Sequence, residues 1–454
     1  MTNDRYLRQS LIDGWDQGKL EKASVGVIGG EALAIETLMA LSMMGIGEIK
    51  IYDNSKIKGN RQDEFVYYNS KKGSWKAHEL ERIFKKSNPD LGSDPRNHKM
   101  GINWAFLDKN DFVIMDTFAG KSKHDVLVDT TNDPFLERLV LEYTANRRIP
   151  VVNASSMQYE GEVKVTMPNK NISIGSLSTN FAGQCQDPVS SGIIGGIVGD
   201  EVRRLIMPLP GETIDNLDVF INFKSKNLVR PEDDYQTLAP DYANKNVIVV
   251  GTGAIGVHVV RRLSQRGANV LAYDKDTFEI HNSSRQFDYT LADSPVGRSK
   301  VKMMEEMVLK YNPDANIKCI NGWFEGKLPR GKIHAIFRCT DSFKTSSMLN
   351  KVAMENGIPL FYAATAYDLA DAYAFVPGQT PDINTVFNVD EFALKSVVPA
   401  GCAEEPNPSV GTVNMFAANS AVGLFDLYCA GVEMPKGYLQ YNLKEAKRVS
   451  FVKV

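Results

Sequence analysis

The sequence lacks the features that mark several protein classes. Only five of its 454 residues are cysteines, and no two of them form a CxxC pair. That excludes a disulfide-stapled scaffold and a zinc knuckle built from neighbouring cysteines. Reduced thiols in a cytosolic protein are the simplest reading. The six histidines show no HExxH or other metal-ligand spacing. No run of 18 or more apolar residues occurs, which excludes a membrane-spanning helix. The polar start, Met1-Thr-Asn-Asp-Arg-Tyr, has no apolar stretch of a secretory signal, so a cytoplasmic protein without a membrane partner is expected. An excess of charge is missing too. Lys and Arg number 52 against 55 Asp and Glu, a formal charge of -3, so no nucleic-acid partner is expected.

What is present is an ordinary globular composition, 43% hydrophobic and 24% charged. The length alone suggests two to four domains. An internal repeat narrows this. Val25–Ile28 is an apolar run ending at Gly29-Gly30. A helical pattern follows from Ala32 to Met44, and then a strand, Ile49–Tyr52, closes on Asp53. From Asn246 the same grammar returns: strand Val247–Val250, turn Gly251-Thr-Gly253-Ala-Ile-Gly256, helix Val257–Ser264, and strand Val270–Tyr273 closing on Asp274. Both are strand–glycine turn–helix–strand–acid units, the opening of a nucleotide-binding βαβ.

The parallel runs on in order. Asn60-Arg61-Gln62 echoes Asn282-Ser-Ser-Arg285-Gln286, Lys76 echoes Lys300, and Asn88-Pro89 echoes Asn312-Pro313. Asp129-Thr-Thr-Asn132 matches Arg338-Cys-Thr-Asp341, and the Cys185 segment matches the Cys402 segment. With offsets of roughly 210–225 residues, a duplicated α/β domain with a mainly parallel sheet is expected in residues 1–225 and again in 226–454. The polar stretch Ser225–Asn246 reads as the linker. The halves are unequal. At the glycine turn the first has Gly29-Gly-Glu31-Ala-Leu-Ala34, and Glu31 would repel an anion at the helix N terminus. The first half also has Asn132 where the second has Asp341. The second half therefore reads as competent and the first as worn.

These residues resemble the ThiF/MoeB/HesA superfamily of adenylating proteins. The opening Arg5-Tyr-Leu-Arg8-Gln, Gly251–Gly256, Asp274-Lys-Asp276, Asn282/Arg285/Gln286, Lys300, Thr340-Asp341 and the Cys402 segment stand in that family's order. One worn and one intact copy in a single chain resemble the paired adenylation domains of ubiquitin- and SUMO-type activating enzymes. The resemblance implies two tandem Rossmann-like domains arranged as a pseudo-dimer, with ATP and Mg²⁺ as cofactors. It implies that Gly251, Gly253 and Gly256 let backbone approach ATP and that Asp274 receives the ribose hydroxyls. Asn282, Arg285 and Lys300 would contact the triphosphate, with Asp276 and Gln286 in the same binding set. Asp341 would hold the magnesium ion, and Arg8 would reach the phosphates from the other half. Arg5 is open to the same reading, but Arg8 is the better match.

The implied reaction is adenylation of the C-terminal carboxylate of a ubiquitin-like protein ending in Gly. Transfer to Cys402 and hand-over to a conjugating enzyme would follow. Cys402 lies in a polar loop, although Glu404-Glu405 would oppose lowering its pKa. Cys185 reads as a relic, and Cys319, Cys339 and Cys429 as small buried hydrophobes. For Asp341 a helix N-cap is the rival reading. His281 is the one histidine near the set, with a solvated or core role expected. Two departures from the family stand out. The segment Pro377–Asp382 lacks CxxC motifs, so no zinc is expected. With 46 residues after Pro408, no ubiquitin-fold domain is expected either. Alternatives remain open: adenylation of a sulfur-carrier protein or a peptide, a catalytically dead scaffold, or an NAD-binding turn.

Overall fold

The structure is a computed structural model. It describes residues 4–59, 65–67, 69–88, 124–145, 147–168, 186–225, 228–229, 238–286, 296–395, 407–445 and 447–454. Cys185, Cys402 and the Asn60-Arg61-Gln62 triplet lie outside them.

The described residues form two mostly parallel sheets. In the first, β1 (Ser24–Ile28), β2 (Glu48–Tyr52), β3 (Val126–Asp129), β4 (Val151–Met157), β5 (Glu160–Thr166) and β6 (Leu217–Asn222) take the order β2-β1-β3-β4-β5-β6. The second holds β7 (Asn246–Val250), β8 (Asn269–Asp274), β9 (Ile317–Asn321), β10 (Ala335–Arg338), β11 (Leu360–Thr365), β12 (Leu369–Phe375), β13 (Gly437–Asn442) and β14 (Val449–Lys453). Its order is β14-β13-β12-β11-β10-β7-β8-β9. Six strands of each sheet correspond one to one, and the last strands of both run antiparallel. These are the two tandem Rossmann-like domains expected.

From β7 the chain crosses to β8 on one side, then returns to β10 on the other. The crevice at the carboxyl ends of β7 and β10 is therefore the switch point, where ligands of open α/β sheets bind. In the first sheet it lies between β1 and β3.

Helices cover both faces, which is why central strands such as β1 read as apolar runs without alternation. The helix Ala32–Met44 is buried over its whole length, as a sequence apolar on all sides requires. The helix Pro188–Ile206 packs between it and the helix Gly411–Cys429 of the other half. Small residues permit this. A Cβ on Gly195 would lie 2.7 Å from that of Glu36, and one on Gly196 would lie 2.7 Å from the carbonyl oxygen of Thr412.

The boundary between the halves is polar. Glu36 Oε1 lies 2.6 Å from Arg262 Nη2, and Arg266 bridges Asp187 (2.7 Å) and Asp426 (3.1 Å). The linker is anchored where it is described: Tyr242 is buried and its hydroxyl donates to Asp426.

Candidate active site

The second glycine turn joins β7 to the helix Gly256–Arg266. Gly251 has φ +95°, which favours glycine, and a Cβ there would come within 2.6 Å of the Cys339 carbonyl oxygen. A Cβ on Gly256 would sit 1.9 Å from the Gly251 carbonyl oxygen. Gly253 is different, since no atom of the described residues lies within 4 Å of where its Cβ would be. Neither strain nor packing requires glycine at 253, and a ligand approaching the turn would.

At the end of β8, Asp274 is tied into that turn. Its Oδ2 accepts from the Thr252 amide (2.6 Å) and hydroxyl (3.0 Å), and its Oδ1 accepts from the Asp276 amide (2.8 Å). Burial raises its pKa, opposed by those hydrogen bonds and by Lys300. Lys300 opens the helix Lys300–Tyr311, with Nζ 3.4 Å from Asp276 Oδ2 and its side chain 7% exposed.

Between them stands the short helix Ile280–Ser284. A capping box forms it: Asn282 Oδ1 accepts from the Glu279 amide, and the Glu279 side chain accepts from the Asn282 amide. Asn282 is thus committed to shaping the turn. Arg285, buried at its end, donates from Nη1 to the His281 carbonyl at 3.0 Å. Gln286 is buried, and its Oε1 has no partner among the described residues.

Asp341 follows β10 on the neighbouring strand end. It is exposed and has no hydrogen-bond or ion-pair partner among the described residues. The N-cap reading fails for a local reason: Ser342 caps the helix Phe343–Asn356, its Oγ accepting from the Thr345 amide at 3.2 Å. The cap and the carboxylate are adjacent residues with separate duties.

The two N-terminal arginines part company. Arg5 is buried in the first half and donates to Asn88 Oδ1 at 2.7 Å. Arg8 turns to the second half, donating from Nη1 to the Asn407 carbonyl at 3.0 Å, while its own carbonyl accepts from Ser409. The segment Asp4–Tyr6 packs on Ile280–Ser284, so Arg8 lies beside the Arg285 turn.

The equivalent crevice of the first half is filled by its own side chains. Glu31 pairs with Lys76 at 2.7 Å, so the turn's carboxylate occupies the lysine. Gln186 spans the crevice, accepting from the Leu33 amide (2.7 Å) and donating to the Thr130 carbonyl (2.8 Å). Asn132 is bonded both ways to Ser156 of β4. The sequence exposed Glu31 but gave no sign of Gln186, whose partners are 153 and 56 residues away.

Cys319 and Cys339 are buried and Cys429 half-buried, and burial pushes each thiol up to about 12. None is poised as a nucleophile. The Cys402 assignment falls outside the described residues.

Fold and site define a tandem, doubly wound α/β protein with a glycine turn at each switch point, the first crevice being filled by its own side chains. A sequence model of the ThiF family matches residues 4–232 and again 232–454. The chain belongs to the ThiF family. Among curated proteins it is similar to the adenylyltransferase and sulfurtransferase UBA4 of Kluyveromyces lactis, at 30% identity over 36% of this chain and 35% of that one. It is also similar to ubiquitin-like modifier-activating enzyme 5 of Caenorhabditis briggsae, at 26% identity over 42% and 48% of the two chains. With SUMO-activating enzyme subunit 2 of Dictyostelium discoideum it shares 27% identity over 30% and 21%. The chain thus spans less than half the length of these relatives. Among solved structures, Escherichia coli MccB with AMPCPP and MccA aligns at 21% identity and a TM-score of 0.40, over 47% of this chain and 64% of that one.

Proposed function

We propose that the second half binds magnesium-ATP and adenylates a substrate carboxylate, with the first half contributing Arg8 as its pseudo-dimeric partner. The contrast between the crevices carries this reading. Among the described residues Asp341 is exposed and has no partner, whereas in the first half Glu31 pairs with Lys76, Gln186 bonds across the crevice and Asn132 is bonded to Ser156. The names of the relatives, adenylyltransferases and modifier-activating enzymes, favour the same reaction class.

The strand order β10-β7-β8 lays the parts side by side. Phosphates belong over the glycine turn and the ribose hydroxyls at Asp274. That carboxylate accepts three hydrogen bonds from protein and, with about four acceptor sites, keeps room for one more. Arg285, Lys300 and Arg8 supply fixed positive charge, with Asn282, Asp276 and Gln286 shaping their surroundings. Asp341 would hold Mg²⁺, which commonly takes a single carboxylate plus phosphate oxygens and waters. The ion would neutralise charge on the departing pyrophosphate.

In the reaction a carboxylate oxygen attacks the α-phosphorus, and the bond to the β-phosphate bridging oxygen breaks. Positioning and electrostatic stabilisation supply most of the rate. The substrate proposed is the C-terminal Gly carboxylate of a small ubiquitin-like protein. The Cys402 thiolate would then attack the acyl carbon, displace AMP and pass the acyl group to a conjugating enzyme. A sulfur-carrier protein is the second reading, favoured by the sulfurtransferase in the name of the 30% identical relative.

ATP–pyrophosphate exchange tests this. With a Gly-terminated small protein, Asp341→Ala is expected to lower exchange by about 10²–10³-fold. Cys402→Ala should keep exchange and lose a thiol-sensitive adduct. Exchange unchanged in Asp341→Ala would refute the assignment, and an adduct surviving in Cys402→Ala would remove that nucleophile.

A further inference from the structure

Arg338 ends β10, is 3% exposed, and pairs with no carboxylate among the described residues. Its Nε donates to Ser346 Oγ at 2.7 Å and its Nη1 to the Ala363 carbonyl at 3.0 Å. The guanidinium lies 4.8 Å from the centre of the Tyr362 ring. All three partners are neutral. A guanidinium has five N–H donors, and here Nη2 makes no hydrogen bond among the described residues and is not sealed from solvent. Asp371 is on the same face of the sheet, but it accepts from Gln440 Nε2 at 3.0 Å and makes no ion pair with Arg338.

The fold does not ask for a cation at this place. The equivalent residue of the first half, at the end of β3, is Asp129, which is 4% exposed. Its Oδ1 accepts from the Thr131 amide at 3.0 Å and the Thr131 hydroxyl at 2.7 Å. The second half has the matching threonine, Thr340, but carries Arg338 instead of the carboxylate. Buried charges are ordinarily paired, so the acid that Arg338 lacks is one that a ligand would bring.

Its position narrows the ligand. With phosphates over the turn after β7 and the ribose at the end of β8, the acyl substrate is left the side of β10 and β11. Arg338 stands there, in register with Val250 of β7 and Tyr362 of β11. Successive residues of a strand point to opposite faces. A Cβ on Gly256 would lie 3.4 Å from that of Cys339, so Cys339 faces the helix after the glycine turn and Arg338 faces away from it. The guanidinium therefore does not meet the terminal carboxylate at the α-phosphorus. An extended tail, advancing about 3.3 Å per residue, brings an earlier side chain to it.

We propose that Arg338 is a specificity residue that binds an acidic side chain in the tail of the acyl substrate, a few residues before the carboxylate that is adenylated. This rests on the adenylation reading of the site. The anchoring by Ser346, Ala363 and Tyr362 holds the guanidinium plane in place, so that little freedom is lost when the carboxylate arrives.

The test is ATP–pyrophosphate exchange by the full-length protein with hexapeptides ending in Gly-Gly. The third, fourth or fifth residue from the end is in turn Asp, Asn or Lys, and the rest are Ala. Wild type is expected to show kcat/KM about 10–100-fold higher for Asp than for Asn at one of these positions, with Lys lower still. In Arg338→Gln, and in Arg338→Asp, which copies the first half's residue, that ratio should fall to about one or below. A merely structural tie would slow all the peptides alike and leave the ratio where it was. Equal rates for the Asp, Asn and Lys peptides in wild type would overturn this role and leave adenylation standing. So would a preference that survives in both variants. Exchange with none of the peptides would overturn both readings. Comparing peptides on wild type needs no variant, and melting curves separate an unfolded variant from a folded one.

Discussion

Three glycines stand in one turn for three reasons, and the difference is measurable. Gly251 supplies a positive φ, and Gly256 allows the helix to start against the Gly251 carbonyl. Gly253 has no described atom near its Cβ position, so the proposed nucleotide is what it would clear. Gly256→Ala forces backbone apart and is expected to cost about 1–3 kcal/mol or more, read as a lower urea midpoint. Gly253→Ala is expected to leave that midpoint unchanged while weakening magnesium-ATP at least about tenfold, read by calorimetry. A stability loss in Gly253→Ala would show that protein packing holds that glycine after all. The motif in the sequence marks all three as one signal, because spacing records that glycine is needed and not what it avoids. Likewise the sequence favours Arg8 over Arg5 only by its match to the family, and the physical difference appears with their partners, Asn88 for Arg5 and Asn407 for Arg8. Asp341 was legible, but its release from capping depends on Ser342 taking that duty.

At the scale of the element, the first crevice shows how a ligand site is closed without changing the fold. The pair Glu31–Lys76 joins a lysine 4% exposed to a glutamate 53% exposed, so solvent screens much of it. Glu31→Gln is expected to cost no more than about 1 kcal/mol. Gln186→Ala should cost more, about 1–3 kcal/mol, because it strands the amide of Leu33 and the carbonyl of Thr130. Urea midpoints of the two variants check this order, and a reversed order would mean that the ion pair is the true plug. Much of the element structure could be read from sequence. The helix Ala32–Met44 carries those limits in both, since an apolar run between a glycine turn and Gly45 leaves little freedom. The repeat, the paired βαβ units and the worn turn were equally legible. What escaped is tertiary. Gln186 meets its partners across the crevice, and Tyr242 makes part of the linker a buried anchor through Asp426, 184 residues away. Neither contact leaves a periodic or local trace.

At the scale of the whole molecule, the question is whether the halves act as one body. Their boundary is held by buried charge as much as by apolar packing. Glu36 of the first half meets Arg261 at 3.4 Å and Arg262 at 2.6 Å, and all three side chains are at most 3% exposed. Arg262 also donates to Asn419 Oδ1, so the same guanidinium ties the helix Gly256–Arg266 to the helix Gly411–Cys429. His258, buried beside them, is pushed well below its ordinary pKa by burial and the two arginines, so it stays neutral and offers no substitute charge. Glu36→Gln would remove the carboxylate that pairs with both buried arginines, and breaking a buried pair in this way costs about 3–5 kcal/mol. Since the glutamate serves both halves, the loss should be shared. Hydrogen exchange is expected to rise in β7 as well as in β1, although no residue of the second half has been altered. Exchange confined to β1 would mean that the halves are stable separately. The same substitution carries a functional consequence, because Arg8 is delivered across this boundary while every other proposed phosphate contact is local to the second half. Loosening the boundary should therefore slow ATP–pyrophosphate exchange even though no proposed phosphate contact has been removed.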